Sequence, residues 1–177
     1  MKKLLSITLA VLMLVSTFCL TAFAEDVAPA SADVYVTIAD NNGKLVLTQE
    51  KITATDKDSD GKITIDEALF AAHEAKYEGG AAAGYASAMS DWGLSLTKLW
   101  GVETTNTLFY KNGAKLETGV GEDLVKGGDK LYVSINKDDT YYSDKYVAFD
   151  QTAISTTAGL ETELTLTDEE GNALAGI

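Results

Sequence analysis

The sequence predicts an α+β fold in which one helix packs on a mixed sheet of short strands. Apolar and polar residues alternate over residues 34–38 and again over 130–135, which is the period of a half-buried strand. Between them, apolar residues of 65–77 recur at helical spacing, and Gly79-Gly80 then stops the helix. A single helix within a run of short strands is typical of an α+β domain with one core.

The first half of the predicted domain is a hairpin that leads into a loop and the helix. Residues 25–33 are small and polar and include Pro29, so they read as a linker. Strand 34–38 is followed by Asn41-Asn42-Gly43, a hairpin turn signal, and by a long return strand over 44–55 with room for a bulge. An acidic loop, 56–67, opens directly into the helix.

The second half of the domain consists of strands. Residues 92–101 alternate and end in a turn, and 107–110 form a strand that Asn112-Gly113 turns back. Residues 130–135 close the domain. The order strand, strand, helix and then several strands is that of a β-grasp, in which the helix crosses a mixed sheet. We assign the domain to residues 34–138.

The acidic loop 56–67 fits the twelve-position calcium loop of an EF-hand. Calcium is a hard cation that takes six to eight oxygen ligands. The first, third and fifth positions supply carboxylates, the seventh a backbone carbonyl, the ninth a water, and the twelfth both oxygens of a glutamate. The residues at these positions, our predicted metal ligands, are Asp56, Asp58, Asp60, Lys62, Thr64 and Glu67.

Two further residues of the loop support calcium over an ordinary acidic turn. Gly61 is at the sixth position, where the chain turns sharply and needs positive φ. Ile63 is at the eighth, the apolar position that pins the loop to a neighbouring segment. No helix precedes the loop, so this is half of an EF-hand joined to a sheet. The carboxylates then lie at the helix N-terminus, where the macrodipole favours negative charge.

The N-terminal residues 1–24 have the pattern of a secretory signal. Lys2 and Lys3 precede an apolar run over 4–20, and Ala22-Phe23-Ala24 fits the small-x-small cleavage rule. A lipoprotein anchor at Cys19 is not expected, because Phe18 precedes it where a small residue is required. We therefore expect a secreted or extracellular chain that does not insert into the membrane after cleavage.

Charge and cysteine content narrow the classes of partner. Residues 1–24 hold two of the 14 basic residues and no acidic one, so the remaining chain has 12 basic and 27 acidic residues and a net charge of −15. A field of this sign repels nucleic acids and anionic membranes and attracts cations. The chain beyond the signal has no cysteine and forms no disulfide. A bound metal ion is therefore the cross-link expected to stabilise the domain.

Residues 160–167 alternate as a strand does, and the turn 168–172 follows. Together with residues 146–150 and Ala158-Gly159, they resemble the opening strands of bacterial immunoglobulin-like surface domains. This resemblance implies that residues 139–177 are a linker and the truncated start of such a domain. Two strands and a turn do not close a sandwich, so we expect further modules beyond Ile177 that attach the protein to the cell surface. Tyr141-Tyr142 are expected to pack at the seam between the two domains.

Several motifs give residues 34–137 a family resemblance. They are "DEALFAA" at 66–72, Gly84-Tyr85, Trp92-Gly93 with Leu96 and Trp100-Gly101, "LFYKNG" at 108–113 and "LVKGGDKL" at 124–131. In this order they resemble bacterial extracellular β-grasp domains related to the C-terminal, ligand-capping domain of transcobalamin and intrinsic factor. The calcium loop looks like an insertion in that pattern. The resemblance implies a binding or adhesion module, with corrinoid binding as an analogy only.

No catalytic constellation is expected. His73 is the only histidine, and the interpretation of the helix makes it a partly exposed residue without a role. One histidine without cysteine does not build a zinc site, and no serine lies in a nucleophile elbow. The protein is therefore predicted not to be an enzyme.

The predicted ligand contacts are aromatic. Tyr85 and Trp92 flank a small-residue segment and are the aromatic residues most expected to be exposed, whereas alternation places about half of the others in the core. The extracellular ligand that such rings contact is a glycan, a peptide or a corrinoid. The alternatives are a structural spacer in a cell-wall protein and, less favoured, a calcium sensor, since sensor EF-hands work in pairs.

Overall fold

The computed structural model describes residues 30–138, 144–151 and 153–174. The predicted signal at 1–24 and the pair Tyr141-Tyr142 lie outside the described residues. In chain order the elements are β1 (Ser31–Ala39), β2 (Leu45–Thr55), α1 (Ile65–Lys76), α2 (Gly80–Gly84), β3 (Ala86–Ser90), β4 (Gly93–Leu99), β5 (Val102–Glu103), β6 (Thr107–Lys111), β7 (Ala114–Lys115), β8 (Lys130–Ile135), β9 (Ala148–Phe149) and β10 (Leu166–Thr167).

The main sheet has the β-grasp topology. Its strand order is β2-β1-β8-β6-β7, with β1 and β8 parallel at the centre and the other neighbours antiparallel. Helix α1 connects β2 to the later strands and packs on β1 and β2. The predicted α+β class and the mixed sheet are confirmed.

The β1–β2 hairpin begins earlier than the sequence predicts. Ser31 already pairs with Thr55, and Ala32 is buried, so the last three residues of the predicted linker belong to β1. At the turn, the Asp40 carboxylate accepts hydrogen bonds from the amides of Asn42 and Lys44, both at 2.9 Å. The expected bulge is present at Gln49, whose φ is 45° and whose amide donates to the Thr37 hydroxyl.

Helix α1 begins at a capping box. The Thr64 hydroxyl accepts from the Glu67 amide, while the Glu67 carboxylate accepts from the Thr64 amide, so two helix donors are satisfied reciprocally. The buried face of the helix includes Ile65, Leu69 and Ala72, as its spacing predicts. Neither helix in the described part of the chain has the length and apolar composition of a membrane-spanning segment.

The core lies between α1 and one face of the sheet. Strand residues that alternate toward the helix are buried on both central strands: Val34, Val36 and Ile38 of β1, and Leu131, Val133 and Ile135 of β8. Each large aliphatic side chain so buried contributes about 1.5–3 kcal/mol. This core fixes α1, and with it the loop that precedes the helix.

Residues 80–90 form structure that the sequence pattern does not reveal. The short helix α2 and strand β3 are built from alanine, glycine and serine, without an apolar period. The predicted strand 92–101 is present as the shorter β4 and lies in a separate three-stranded sheet, β3-β4-β5. Trp100 and Gly101, both with positive φ, form the turn that follows it.

The C-terminal segment contains only short strands. Strands β9 and β10 pair antiparallel over two residues each. The alternation at 160–167 predicted a longer strand, but only Leu166–Thr167 is extended in a sheet, and Leu160 is 68% exposed. Leu164, the alternating residue between them, is half-buried without belonging to a strand.

Candidate metal centre

Three of the predicted ligands converge in the loop before α1. Carboxylate oxygens of Asp56, Asp58 and Asp60 all lie within 4.8 Å of one another. Asp56 is only 7% exposed, whereas Asp58 and Asp60 face solvent. Three carboxylates this close repel each other, and a cation between them would offset that repulsion.

The shape of the loop is maintained by its own amides. Gly61, at φ 83°, donates its amide hydrogen to Oδ2 of Asp56 at 2.8 Å. The Asp60 amide donates to Oδ1 of Asp56, and the Lys62 amide donates to Oδ1 of Asp60. These bonds turn the backbone tightly around the carboxylates. A side chain at position 61 would be strained, because L residues rarely adopt this φ.

The remaining predicted ligands lie beside this triad. Lys62 is exposed, and its predicted contribution is the backbone carbonyl alone. Glu67 is buried, and both its oxygens accept hydrogen bonds: Oε1 from the Lys57 amide at 2.6 Å, and Oε2 from the Thr64 amide at 2.8 Å. Thr64 and Glu67 are therefore paired with each other in this structure.

Lys57, the one basic residue between the first two aspartates, is directed away from them. Its ammonium nitrogen lies 3.4 Å from the centroid of the Phe70 ring on α1, a cation–π contact. Its positive charge is thus held on the helix instead of between the carboxylates.

A strap formed by residues 118–125 joins the loop to the rest of the domain. The amide of Ile65 donates to the carbonyl of Asp123, and the amide of Val125 donates to that of Ile63. Ile63 itself is buried. The expectation that Ile63 pins the loop to a neighbouring segment is confirmed, and the partner is this strap.

The donor set fits a hard divalent cation. Three carboxylates and the neighbouring Glu67 supply only oxygen, which is the chemistry that calcium prefers. Complete coordination in the EF-hand manner also requires both oxygens of Glu67. Each of these oxygens accepts one amide hydrogen bond in this structure, from Lys57 and from Thr64, which leaves each a second lone pair.

The two predicted aromatic contacts are in different environments. Trp92 lies at the tip of the β3–β4 hairpin and is 86% exposed. Tyr85 is 8% exposed and donates its hydroxyl hydrogen to Oδ1 of Asp66 at 2.7 Å. Burial and the Asp66 carboxylate raise the pKa of Tyr85. The expectation that Tyr85 is exposed is therefore wrong, because its ring packs in the core and its hydroxyl hydrogen-bonds to the first turn of α1.

The interpretation of His73 as partly exposed is also wrong. Its side chain is completely buried, and its ring packs against those of Tyr77, Tyr85 and Trp100, with centroids 5.0–6.2 Å apart. Both ring nitrogens have backbone partners, the Leu69 carbonyl and the Trp100 amide. His73 is a core residue, and its hydrogen bonds tie α1 to the turn after β4.

A cluster of tyrosines on the opposite face of the main sheet was not predicted. Tyr110 of β6 and Tyr132 of β8 are paired across the strands, and Tyr146 stacks on Tyr110 with centroids 4.5 Å apart. The Tyr110 hydroxyl donates to Glu169 at 2.6 Å. Burial, followed by the nearby Glu169 carboxylate, raises the pKa of Tyr110. Strand alternation at Leu108 and Tyr110 is the sequence signal for this second apolar face.

Comparison with known proteins gives a similarity to solved structures but none to family models or curated proteins. Among solved structures, the crystal structure of haptocorrin in complex with Cbi is similar, with a TM-score of 0.44 and 17% identical residues. The match covers 66% of this chain and 27% of that one, so the chain spans about a quarter of the length of haptocorrin.

Proposed function

We propose that this chain is a non-catalytic binding module of a secreted or cell-surface protein, with a domain stabilised by one calcium ion in loop 56–67. The observation that carries the proposal is the convergence of Asp56, Asp58 and Asp60 in a loop whose Gly61 and Glu67 are in EF-hand register. The leader pattern at 1–24 supports export, and extracellular calcium is abundant enough for a weak site.

The residues that would hold the ion are those of the EF-hand register. Asp56, Asp58 and Asp60 supply one carboxylate each, Lys62 a carbonyl, Thr64 a water, and Glu67 both oxygens. When bound, the ion supplies positive charge that offsets the repulsion of four carboxylates. The chain holds these groups at the start of α1, so calcium would stabilise the loop and the helix together.

The surface that would contact a ligand is the tip of the β3–β4 hairpin. Trp92 is an exposed indole on a short turn, where its ring is open to a glycan, a peptide or a corrinoid. Tyr85 no longer belongs to this surface, because its ring is buried. Exposed tryptophan on a rigid scaffold is common where proteins bind partners.

Calorimetric titration with calcium tests the metal proposal. We expect binding of one ion with a dissociation constant of about 10⁻⁵–10⁻³ M, the weak range of unpaired and extracellular loops, and weaker binding of magnesium. Asp58→Asn keeps the side-chain shape and removes one charge, so it should weaken binding at least about tenfold.

The matched control for this titration is Asp91→Asn, which removes the same charge from an exposed aspartate outside the loop. Its calcium affinity should stay within about twofold of the parent chain. A site that prefers magnesium, or equal losses in both variants, would show that loop 56–67 is not a calcium site.

A spacer role is the second candidate. It is favoured by the contact between the tyrosine cluster and the C-terminal segment, since Tyr146 and Glu169 both dock on Tyr110. A spacer requires this contact between the domain and the C-terminal segment, whereas it does not require an exposed Trp92. If Tyr146→Ala loosens the chain in small-angle scattering while no ligand class responds to Trp92→Ala, the spacer role is the better account.

A further inference from the structure

The tip of the β3–β4 hairpin carries two large apolar side chains that are exposed to solvent. Strands β3 and β4 pair from Ala86 to Ser90, and only Asp91 and Trp92 form the turn. Trp92 is 86% and Met89 77% exposed, the highest values among the large hydrophobic residues that the structure describes. Neither side chain contributes to the core, so folding does not explain their presence.

The exposed tip is held by hydrogen bonds within the turn and to the strap. The Ser90 hydroxyl accepts from the Trp92 amide at 3.1 Å and donates to the Gly93 carbonyl at 2.9 Å. Behind it, the strap amide of Val120 donates to the Leu94 carbonyl at 2.9 Å. A rigid turn loses little conformational entropy when its side chain makes a contact, which favours binding.

The strap reaches this position because it has no side chain at Gly119. A Cβ there would lie 2.6 Å from the Leu94 carbonyl oxygen and 3.2 Å from that of Trp92. Backbone therefore packs on backbone directly behind the exposed indole. The ring is presented outward from a fixed base.

Two acidic residues lie at or beside the hairpin turn that carries Trp92. Asp91 is its neighbour in the turn, and Oε1 of Glu122 lies 2.9 Å from where a Cβ of Gly93 would be. Both acidic residues are exposed. The whole chain has a net charge of −13, so the field around the tip is negative beyond these two groups as well.

We propose that this tip, formed by Met89, Asp91, Trp92 and Glu122, binds a basic peptide segment of a partner protein. An arginine or lysine would place its cationic head on the indole face, next to the carboxylates of Asp91 and Glu122. Met89 would cover the aliphatic part of that side chain. The inference rests on the proposed binding function and specifies its partner.

The charges favour this partner over the other classes. A neutral glycan gains from stacking on the ring but has no need of two flanking carboxylates. An anionic membrane, into which an exposed tryptophan and methionine would otherwise insert, is repelled by the same groups. Only a cationic partner is attracted by both the ring and its surroundings.

The test uses a short synthetic peptide of alternating arginine and glycine, with its citrulline counterpart as the neutral isostere. Binding is measured by calorimetry at about 0.15 M salt, where exposed charges more than ~8 Å apart are largely screened. The arginine peptide should bind and the citrulline peptide should not. Trp92→Ala, which leaves the charge unchanged, should weaken binding on the order of tenfold.

Two charge-matched double variants separate the tip from the general field. Asp91→Asn with Glu122→Gln should weaken binding on the order of tenfold, whereas Glu161→Gln with Glu163→Gln, in the exposed C-terminal segment, should change it less than about twofold. Trp92→Tyr retains a smaller ring and should give intermediate affinity.

Equal losses in the two double variants, with no effect of Trp92→Ala, would overturn the proposal in favour of unspecific charge attraction. Binding of a neutral chitin oligosaccharide that is lost in Trp92→Ala, without arginine-peptide binding, would overturn it in favour of a glycan. Calcium binding by the same samples is measured separately, so a failure of the partner class is distinguishable from a failure of the proposed metal centre.

Discussion

The Nε2 atom of His73 accepts a hydrogen bond from the backbone amide of Trp100, 3.0 Å away. Because an amide only donates, Nε2 has no proton, and the ring hydrogen is on Nδ1, which donates to the Leu69 carbonyl at 2.7 Å. The imidazole is thus neutral and fully paired in the core. Protonation would place a second hydrogen opposite the Trp100 amide hydrogen and break this pair.

This arrangement predicts a loss of stability in mild acid. Burial lowers the pKa of His73 below its ordinary value of 6.5. The unfolded chain therefore takes up this proton before the folded chain does, so the stabilisation is complete above pH 6.5 and is lost as the pH falls from there toward the folded-state pKa. In urea unfolding between pH 8 and 5, the free energy of unfolding should fall with pH, and this histidine should contribute at most about 1.4 kcal/mol per pH unit to that slope.

His73→Gln tests whether this histidine causes the slope. Its side-chain oxygen can accept from the Trp100 amide, but the side chain does not titrate. The variant should be less stable at pH 8, because its packing against Tyr77, Tyr85 and Trp100 is poorer. In this variant, most of the fall in unfolding free energy between pH 7 and 5.5 should disappear. If that fall is unchanged, the carboxylates cause it and not His73.

Tyr85 and Trp92 should respond oppositely to substitution. Tyr85→Phe removes the hydroxyl that donates to the half-buried Asp66 carboxylate and should lower the free energy of unfolding by about 1–2 kcal/mol. Trp92→Ala should change it by less than about 0.5 kcal/mol, because the ring is exposed. Thermal melts of both variants check this, and a strongly destabilised Trp92→Ala would place the indole in the core.

Glu67→Gln should separate the helix cap from the calcium response. Calcium at tenfold to hundredfold excess over its dissociation constant should stabilise the parent chain by about 1.5–3 kcal/mol, and the variant should lose most of this. Without calcium the variant should also be about 1 kcal/mol less stable. Its amide group must face either the Lys57 or the Thr64 amide, both of which now donate to the carboxylate.

The comparison variant for Glu67→Gln is Asp58→Asn, whose exposed side chain keeps an oxygen for the Asp60 amide. It should lose much of the calcium response, and its calcium-free stability should stay the same or rise slightly, because one of three mutually repelling carboxylates is neutralised. Melting temperatures with calcium and with a chelator measure both effects. A full calcium response in Glu67→Gln would remove Glu67 from the coordination sphere.

Gly119→Ala tests the close approach of the strap to the hairpin. A Cβ would meet the Leu94 carbonyl oxygen at 2.6 Å, and backbone must move to relieve the clash, at a cost of about 1–3 kcal/mol. Gly127→Ala is the matched control, since no atom lies within 4 Å of its new Cβ. The two unfolding free energies should differ accordingly, and similar values would mean that the strap is loosely held.

The parts of the fold that the sequence revealed are those with a strong side-chain period. The strands 34–38 and 130–135 and the helix after the loop bury alternating or helically spaced aliphatic residues, and each is present. The three aspartates converge as the loop register implies, because that register depends on local spacing alone. Helix α2 and strand β3 were missed, because alanine, glycine and serine carry no period to detect.

The errors at Tyr85 and His73 have one cause. Both residues are polar and lie beside small-residue segments, where local sequence suggests exposure. Their burial depends on each other and on Trp100, which approaches from a distant turn. Such tertiary contacts between polar aromatic residues leave no trace in the spacing of either segment.

The parallel pairing of β1 and β8 determines how the domain would carry a mechanical load. The two strands run in the same direction, paired from Tyr35 with Lys130 to Ala39 with Ser134. The N-terminal end of β1 and the C-terminal end of β8 therefore lie at opposite ends of the pair. Tension between residues 30 and 138 would therefore pull the two strands along each other. All of their hydrogen bonds would share the force at once instead of opening one by one, and extension would begin only when the centre of the sheet shears.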